Sequence, residues 1–95
     1  MTVVLINAFE VPAGQEEQFL ADWQRAAEWM RRQPGFLSSR LHQSLDPDAE
    51  FRDVNVADWE SADHFGKATG SPEFQQRISG MNVRAHPALY RIVIE

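Results

Sequence analysis

Three patterns in the sequence predict an α+β fold, in which one antiparallel sheet carries helices on a single face. A strand-like run and a long helical pattern open the chain, a turn joins two strand-like runs in the middle, and short helical patterns precede a last strand-like run. The resulting order is β-α-β-β-α-(α)-β. This order is typical of the split βαβ, or ferredoxin-like, arrangement.

Hydrophobic periodicity predicts the first strand and the long helix. Val3 to Val11 is rich in β-branched and aromatic residues, and Pro12-Ala13-Gly14 then stops the strand. From Gln15 to Arg32 the apolar residues recur at three- and four-residue spacing: Phe19, Trp23, Ala26, Ala27 and Met30. Glu16 and Glu17 lie in the first turn of this segment, where the helix dipole favours acidic side chains. We therefore expect a strand followed by an amphipathic helix.

The middle of the chain predicts a hairpin. Leu37 to Leu45 alternates between apolar and polar residues with period two, interrupted by Ser39 and Gln43. Asp46 to Glu50 has the residue types of a turn. Phe51 to Trp59 is again strand-like, and the short connection predicts that it pairs antiparallel with the preceding strand.

The last third of the chain predicts two short helices and a strand. Ser61 to Ala68 and Ser71 to Ser79 each begin with a serine, which can cap a helix, and the second has proline at its first helical position. Asn82 to Pro87 is expected to be a loop. Ala88 to Ile94 has the composition of a strand.

Composition and charge limit the classes of function. The 95 residues suit a single domain, residues 1–95, whose own core is marginal. A net charge of −5 disfavours nucleic acid and anionic lipid as partners. The absence of cysteine excludes disulfides and thiolate metal sites. Because the first residues lack the pattern of a signal peptide and no apolar run is long enough to span a membrane, we expect a cytoplasmic protein.

One face of the predicted sheet needs a second cover besides the helices. Its apolar residues alternate with Asn7 and Asn55 along two strands: Val4, Ile6, Val54 and Val56. An apolar face of this kind is most simply covered by a second copy of the chain. We therefore predict a C2 homodimer with its sheets packed face to face.

The strand from Phe51 to Trp59 suggests a binding pocket. Alternation places Asn55 and Trp59 on one face, together with Phe51, Asp53 and Ala57. An amide beside an indole can bind the polar group of a flat aromatic ligand, although a core tryptophan and a backbone-bonded amide remain an alternative. Asn7 lies among apolar residues and needs either a ligand or a backbone partner.

Other polar residues carry weaker functional signals. His64 follows Trp59 on a helix and can act as a base, and Arg77 can bind an anionic oxygen, although both also suit a solvated surface. The three histidines show no metal-ligand spacing, so no metal site is expected. No glycine-rich phosphate loop supports flavin or nicotinamide, and no serine has the context of a hydrolase nucleophile.

Several segments together resemble the antibiotic biosynthesis monooxygenase family, over nearly the whole chain. They are Ile6 to Gly14, Gln33 to Leu37, Asp58 to Ser61 and Ser71 to Phe74. The resemblance implies a dimeric α+β barrel. Asn55 and Trp59 match residues of the cofactor-independent oxygenases of this family, which convert polycyclic phenols or anthrones to quinones with dioxygen. Phe65 stands where those enzymes have an aromatic hydroxyl.

The resemblance implies two alternatives to a cofactor-independent oxygenase. Asn7 and Trp59 also correspond to residues of the haem-degrading branch, but Gln75 to Ile78 stands where that branch has its axial histidine, so a haem site requires His64 or His86 instead. The same pocket also suits a non-catalytic binding protein or a cyclase, because a fold does not fix its function. We predict Asn55 and Trp59 as catalytic residues, with Asn7, Phe65, Arg77 and His64 as substrate-binding residues.

Overall fold

The computed structural model describes all residues from 1 to 95 and contains seven helices and strands. They are β1 (Val3–Glu10), α1 (Glu16–Met30), β2 (Phe36–Gln43), β3 (Asp53–Trp59), α2 (Ala62–Thr69), α3 (Pro72–Ile78) and β4 (Arg84–Tyr90). The strands form one sheet in the order β2-β3-β1-β4, and every neighbouring pair is antiparallel. The predicted α+β, ferredoxin-like fold is confirmed.

The register of the strands defines two faces of the sheet. Asn7 of β1 lies directly opposite Asn55 of β3, and Leu5 lies opposite Ala57. Residues that face each other in this way point to the same side of an antiparallel sheet. The side that carries these four residues packs against the helices and is called the inner face.

The other side, called the open face, carries the alternate residues of the same strands: Val4, Ile6, Ala8, Val54, Val56, Ala88 and Tyr90. No helix covers this face, and Ile6 and Tyr90 remain 36% and 52% exposed. The predicted separation of Asn7 and Asn55 from the apolar valines and isoleucine is confirmed. An apolar surface in the middle of a sheet is therefore left facing solvent in the single chain.

The core lies between the inner face and the helices. One buried cluster joins Leu5, Ala57 and Trp59 of the sheet to Trp29 of α1 and Ala68 of α2. Trp59 is only 1% exposed and is among the largest fully buried side chains. Contacts with the other members of this cluster therefore fix the position of the Trp59 indole.

Serine side chains cap both short helices, as the sequence predicts. The Ser61 hydroxyl accepts a hydrogen bond from the backbone N–H of His64 at 3.2 Å, and the Ser71 hydroxyl accepts one from Phe74 at 3.3 Å. Each bond satisfies an amide that would lack a partner within its helix. Both helices consequently start at defined residues.

The last strand differs from the prediction. We expected a loop from Asn82 to Pro87 and a strand from Ala88 to Ile94, but β4 begins at Arg84 and ends at Tyr90. Pro87 lies inside β4, opposite Asn7. This is tolerated because β4 is an edge strand, where a missing N–H need not break a ladder. The apolar residues that follow extend beyond the sheet and are 64–88% exposed: Ile92, Val93 and Ile94.

Smaller differences concern the hairpin. Phe51 precedes β3 rather than sharing its inner face, and its ring packs edge-on against His86 at 5.3 Å between centroids. β2 ends at Gln43, so Leu45 lies outside it and is fully exposed. A register shift between Phe36 and Ser38 marks a β-bulge, which the regular period-two interpretation does not contain.

Gly35 joins α1 to β2 at a close approach of the backbone to α2. Its φ is +86°, in the left-handed region that favours glycine. A Cβ atom there would come within 2.3 Å of the His64 ring. Gly35 therefore allows the start of α2 to pack over the end of α1.

None of the helices combines the length and the apolar character required to cross a bilayer.

Candidate active site

A cavity of about 440 Å³ lies between the inner face and the helices, and its size is typical of a small-molecule site. Fifteen of its 21 lining residues are hydrophobic. The others are Asn7, Ser39, Asn55, Thr69, Gln75 and Pro87, so no lining side chain is ionisable near neutral pH. The cavity suits an apolar molecule with a few polar groups.

The floor of the cavity carries two adjacent carboxamides. Asn7 and Asn55 are direct cross-strand partners on the inner face, which brings their Cβ atoms to about 4.5–5.5 Å. The Oδ1 atoms of both residues are buried and have no hydrogen-bond partner, and Asn55 is only 9% exposed. An unpaired buried amide costs about 1–3 kcal/mol, and both Oδ1 atoms are free to accept a hydrogen bond.

Trp59 supplies a third unpaired polar group. Its Nε1 atom is buried without a hydrogen-bond acceptor. The indole lies edge-to-face with Phe36 of the neighbouring strand β2 and with Phe65 of α2, at centroid distances of 5.4 and 5.6 Å. Because both aromatic contacts hold the ring in place, the N–H is a donor with a fixed direction.

The walls of the cavity are wide apolar surfaces. Trp23, Ala26, Ala27 and Met30 of α1 form one side, and α3 and its following loop contribute further apolar residues: Phe74, Ile78, Met81 and Val83. Flat aromatic molecules pack well on such surfaces, and methionine adapts to irregular outlines. The arrangement therefore combines an apolar slot with three polar atoms at its floor.

The structure brings four of the six predicted site residues together. Asn7, Asn55, Trp59 and Phe65 all line the cavity, whereas His64 and Arg77 do not. The His64 Nδ1 atom lies 2.7 Å from the Ser61 hydroxyl, and its Nε2 atom lies 3.7 Å from the Glu60 carboxylate. The side chains of His64 and Arg77 therefore occupy the outer surface of the helical layer.

Arg77 lies over the outer side of the core. Its guanidinium is 5.2 Å from the centre of the Trp29 ring and donates a hydrogen bond to the Glu73 carbonyl at 3.0 Å. This is the geometry of a cation–π contact. In the single chain Arg77 stabilises the junction of α1 and α3 from outside the cavity.

Several lining residues were not identified from the sequence as site residues. Trp23 and Met30 look like core positions of an amphipathic helix, and Gln75 and Thr69 belong to short helices whose faces cannot be assigned from sequence. Ser39 could have been identified from the sequence, because it interrupts the apolar alternation of β2 at a position that the regular pattern assigns to apolar side chains.

A carboxyl pair lies on the inner face beyond the two carboxamides. Asp53 is fully buried with an unpaired Oδ2 atom, and the Gln43 amide lies within hydrogen-bond distance of both Asp53 (3.3 Å) and Glu16 (3.1 Å). Burial, and then the Asp53 carboxylate, raise the pKa of Glu16, while Arg52, 3.8 Å away, lowers it. This end of the inner face is therefore rich in oxygen acceptors.

None of the three histidines lines the cavity. His42 and His86 lie on the open face, opposite Val54 and Ala8, and the His86 Nε2 atom lies 2.6 Å from the Glu10 carboxylate. No cluster of three or more metal-binding side chains occurs in the protein. A haem site would need His64 or His86 as the axial ligand, and neither side chain lines the cavity.

Comparisons with known proteins agree with the fold. The family model for antibiotic biosynthesis monooxygenase matches residues 2–78. The chain is 36% identical over 72 residues to a deoxynogalonate monooxygenase of Streptomyces nogalater, a match that covers 76% of this chain. The same match spans only 58% of that relative.

Two crystal structures are similar over nearly their whole length. SnoaB, a cofactor-independent oxygenase from Streptomyces nogalater, is 26% identical with a TM-score of 0.85, and the match covers 99% of this chain and 95% of that one. A haem-degrading protein from Mycobacterium tuberculosis is 27% identical with a TM-score of 0.71, covering 100% and 94%.

Proposed function

The chain belongs to the antibiotic biosynthesis monooxygenase family, and from this premise we propose that it oxidises a polycyclic phenol or anthrone to a quinone with dioxygen and without a cofactor. The observation that carries the proposal is the apolar cavity with the unpaired polar atoms of Asn7, Asn55 and Trp59 at its floor. These atoms match the needs of an oxygenated aromatic molecule.

The chemistry places few demands on the protein. In an anthrone, loss of a proton gives an electron-rich anion that reduces dioxygen, and the overall change replaces a CH₂ group by a carbonyl and releases one water molecule. The protein binds the substrate in the apolar slot and stabilises the negative oxygen by hydrogen bonds, which are strong in a site that excludes water. Trp59 supplies such a bond through its Nε1–H, and the Asn7 and Asn55 carboxamides, side by side on the inner face, orient the substrate through its other polar groups.

The cavity contains no ionisable group to act as a base. The proton must therefore leave to solvent or to dioxygen-derived species, and the pH profile of the reaction should follow the acidity of the bound substrate. Phe65 packs edge-to-face against Trp59 and has no hydroxyl group, so that position contributes packing and no proton.

Haem degradation is the second candidate, favoured by the similarity to the haem-degrading protein of Mycobacterium tuberculosis. The donor set of this cavity does not fit it, because haem iron in that role needs an axial imidazole and no histidine lines the cavity. A titration of the protein with haem, followed by absorbance, tests the candidate directly. A stoichiometric shift of the haem band would overturn the cofactor-independent proposal.

We also propose that the active form is a homodimer in which a second copy covers the open face. The support is the row of valine, isoleucine and alanine side chains on that face, together with the exposed apolar segment from Ile92 to Ile94. Apolar surface of this kind stabilises an assembly when it is buried. Binding and chemistry would take place on the inner face of each copy.

The experiment that tests the oxygenase is oxygen uptake with anthrone in metal-chelated buffer. Trp59→Phe should lower kcat by about 10²–10³, as expected for loss of one oxyanion donor, and Asn55→Ala should lower it by about 10², as expected for a misplaced substrate. Matched controls are Asn82→Ala, an exposed amide, and Trp29→Phe, a buried indole outside the cavity. Full activity in Asn55→Ala and Trp59→Phe, or no uptake by the unmodified protein with any tricyclic phenol or anthrone, would refute the proposal.

A further inference from the structure

We propose that Ser39 is a further substrate-binding residue, and that its hydroxyl and the Trp59 indole N–H together bind the anionic oxygen of the substrate. This inference rests on the proposed function, because it concerns the orientation of the substrate in the same cavity. It adds a residue from β2 to a site otherwise built on β1 and β3. It also assigns the negative oxygen to one end of the cavity.

The position of Ser39 supports this role. Ser39 is half-buried, is the direct partner of Ala57 on the inner face, and lines the cavity. Trp59 lies two residues beyond Ala57 on the same face of β3, which puts the Cα atoms of Ser39 and Trp59 about 8 Å apart. Because Ala57 is small, the hydroxyl and the indole N–H can approach the same ligand atom from two strands.

The β-bulge of β2 arranges this corner of the cavity. In a regular strand Phe36 and Ser39 would point to opposite faces, but the extra residue, Leu37, puts both on the inner face. Phe36 then packs edge-on against Trp59, and Ser39 lies opposite Ala57, two residues from Trp59 on the same face of β3. The neighbouring Ser38 points the other way, and its hydroxyl lies 3.2 Å from the Asp58 carboxylate on the open face.

The carboxyl pair determines which end of the cavity suits an anion. Asp53 lies two residues from Asn55 but six from Trp59 on the same strand, or about 7 Å against about 20 Å. Glu16 lies beside Asp53. An oxyanion bound at the carboxamides would lie closer to these carboxylate oxygens and would experience the stronger Coulomb repulsion. At Ser39 and Trp59 it meets two donors and no carboxyl group.

The test measures the pKa of a bound phenol, which needs no turnover. The probe is 2-hydroxyanthraquinone, whose visible absorbance changes on ionisation, and anthraquinone is the matched ligand without a hydroxyl group. The unmodified protein should lower the pKa of the bound phenol. Ser39→Ala should raise that pKa by about one to two units, the value of one hydrogen bond to a charged oxygen. Trp59→Phe should act in the same direction.

Two controls separate binding of the anion from general packing. Ser38→Ala changes the adjacent serine, which points to the other face, and should leave the pKa of the bound phenol unaltered. Ser39→Ala should also bind anthraquinone as tightly as the unmodified protein, measured by quenching of tryptophan fluorescence. A loss of affinity for both ligands would indicate a merely structural role for Ser39 and would overturn the inference.

The remaining outcomes distinguish this inference from the proposed function. If the pKa of the bound phenol is unaltered in Ser39→Ala but rises in Asn7→Ala or Asn55→Ala, the anionic oxygen lies at the carboxamides and the inference is wrong. The proposed function survives that result. If the unmodified protein binds neither probe, the proposed function fails, and the inference fails with it.

Discussion

Replacement of Asn55 by leucine should make the protein more stable while it removes activity. Asn55 is 9% exposed, and its Oδ1 atom has no hydrogen-bond partner. Leucine has nearly the same shape, so the change removes the cost of the unpaired amide without leaving a void. That cost is about 1–3 kcal/mol. For a chain of this length, each kcal/mol raises Tm by roughly 4–8 °C.

The assay is urea unfolding and thermal unfolding at one fixed protein concentration, because the stability of the proposed dimer would depend on concentration. Asn82→Leu is the control: it makes the same chemical change at an exposed loop position, and its free energy of unfolding should shift by less than about 0.5 kcal/mol. Oxygen uptake should fall in Asn55→Leu and not in the control. Destabilisation of Asn55→Leu by more than about 1 kcal/mol would mean that the amide has an internal partner, and the argument for a preformed polar site would be refuted.

Three further changes test the structure elsewhere. Burial raises the pKa of Glu16, so the stability that this carboxyl group contributes is complete below its unfolded pKa and is lost as the pH rises through its folded pKa. Glu16→Gln should therefore be more stable than the unmodified protein at neutral pH. Urea unfolding should show that this gain in stability disappears below pH 4.5. Gly35→Ala should lower the free energy of unfolding by about 1–3 kcal/mol because of its positive φ and the contact with His64, whereas Gly66→Ala, in an open position on α2, should raise it by about 0.5–1 kcal/mol. Equal unfolding curves for the two glycine variants would contradict that account. Val56→Asp places a charge in the centre of the open face and should give a monomer in sedimentation velocity; an unaltered dimer would show that another surface forms the interface.

The sequence predicts the element order because period and turn chemistry are local properties. The alternation of β3 assigns Asn55 and Trp59 to one face without knowledge of the partner strands, and the serines at the starts of α2 and α3 act as caps within a single turn. These features do not depend on tertiary contacts, so the structure agrees with them.

The end of the chain was predicted less well. Composition favours the apolar run from Ala88 to Ile94 as the strand, but the pairing with β1 selects Arg84 to Tyr90. The strand accepts Pro87 only because it lies at the edge of the sheet, and edge position is a property of the whole topology. Local propensity was overridden here by the register of a distant strand.

The site was predicted in part for a similar reason. His64 and Arg77 are near the cavity in sequence order, but the faces of short helices depend on their packing, and both side chains point outward. Ser39 was visible only as an interruption of a pattern. An interruption indicates that a position is unusual, and the bulge that explains it becomes apparent only when the strands are paired.

The pleat of β1 and β3 has a consequence for how such a protein can change over time. Along β3 the even-numbered residues Val54 and Val56 belong to the open face and the odd-numbered Asn55 and Ala57 to the cavity. If the proposed substrate occupies the cavity and the proposed dimer forms on the open face, two selective pressures act on alternate residues of the same short segment. Substrate specificity can then change at the cavity residues while self-association is preserved at the open-face residues, within seven residues of strand.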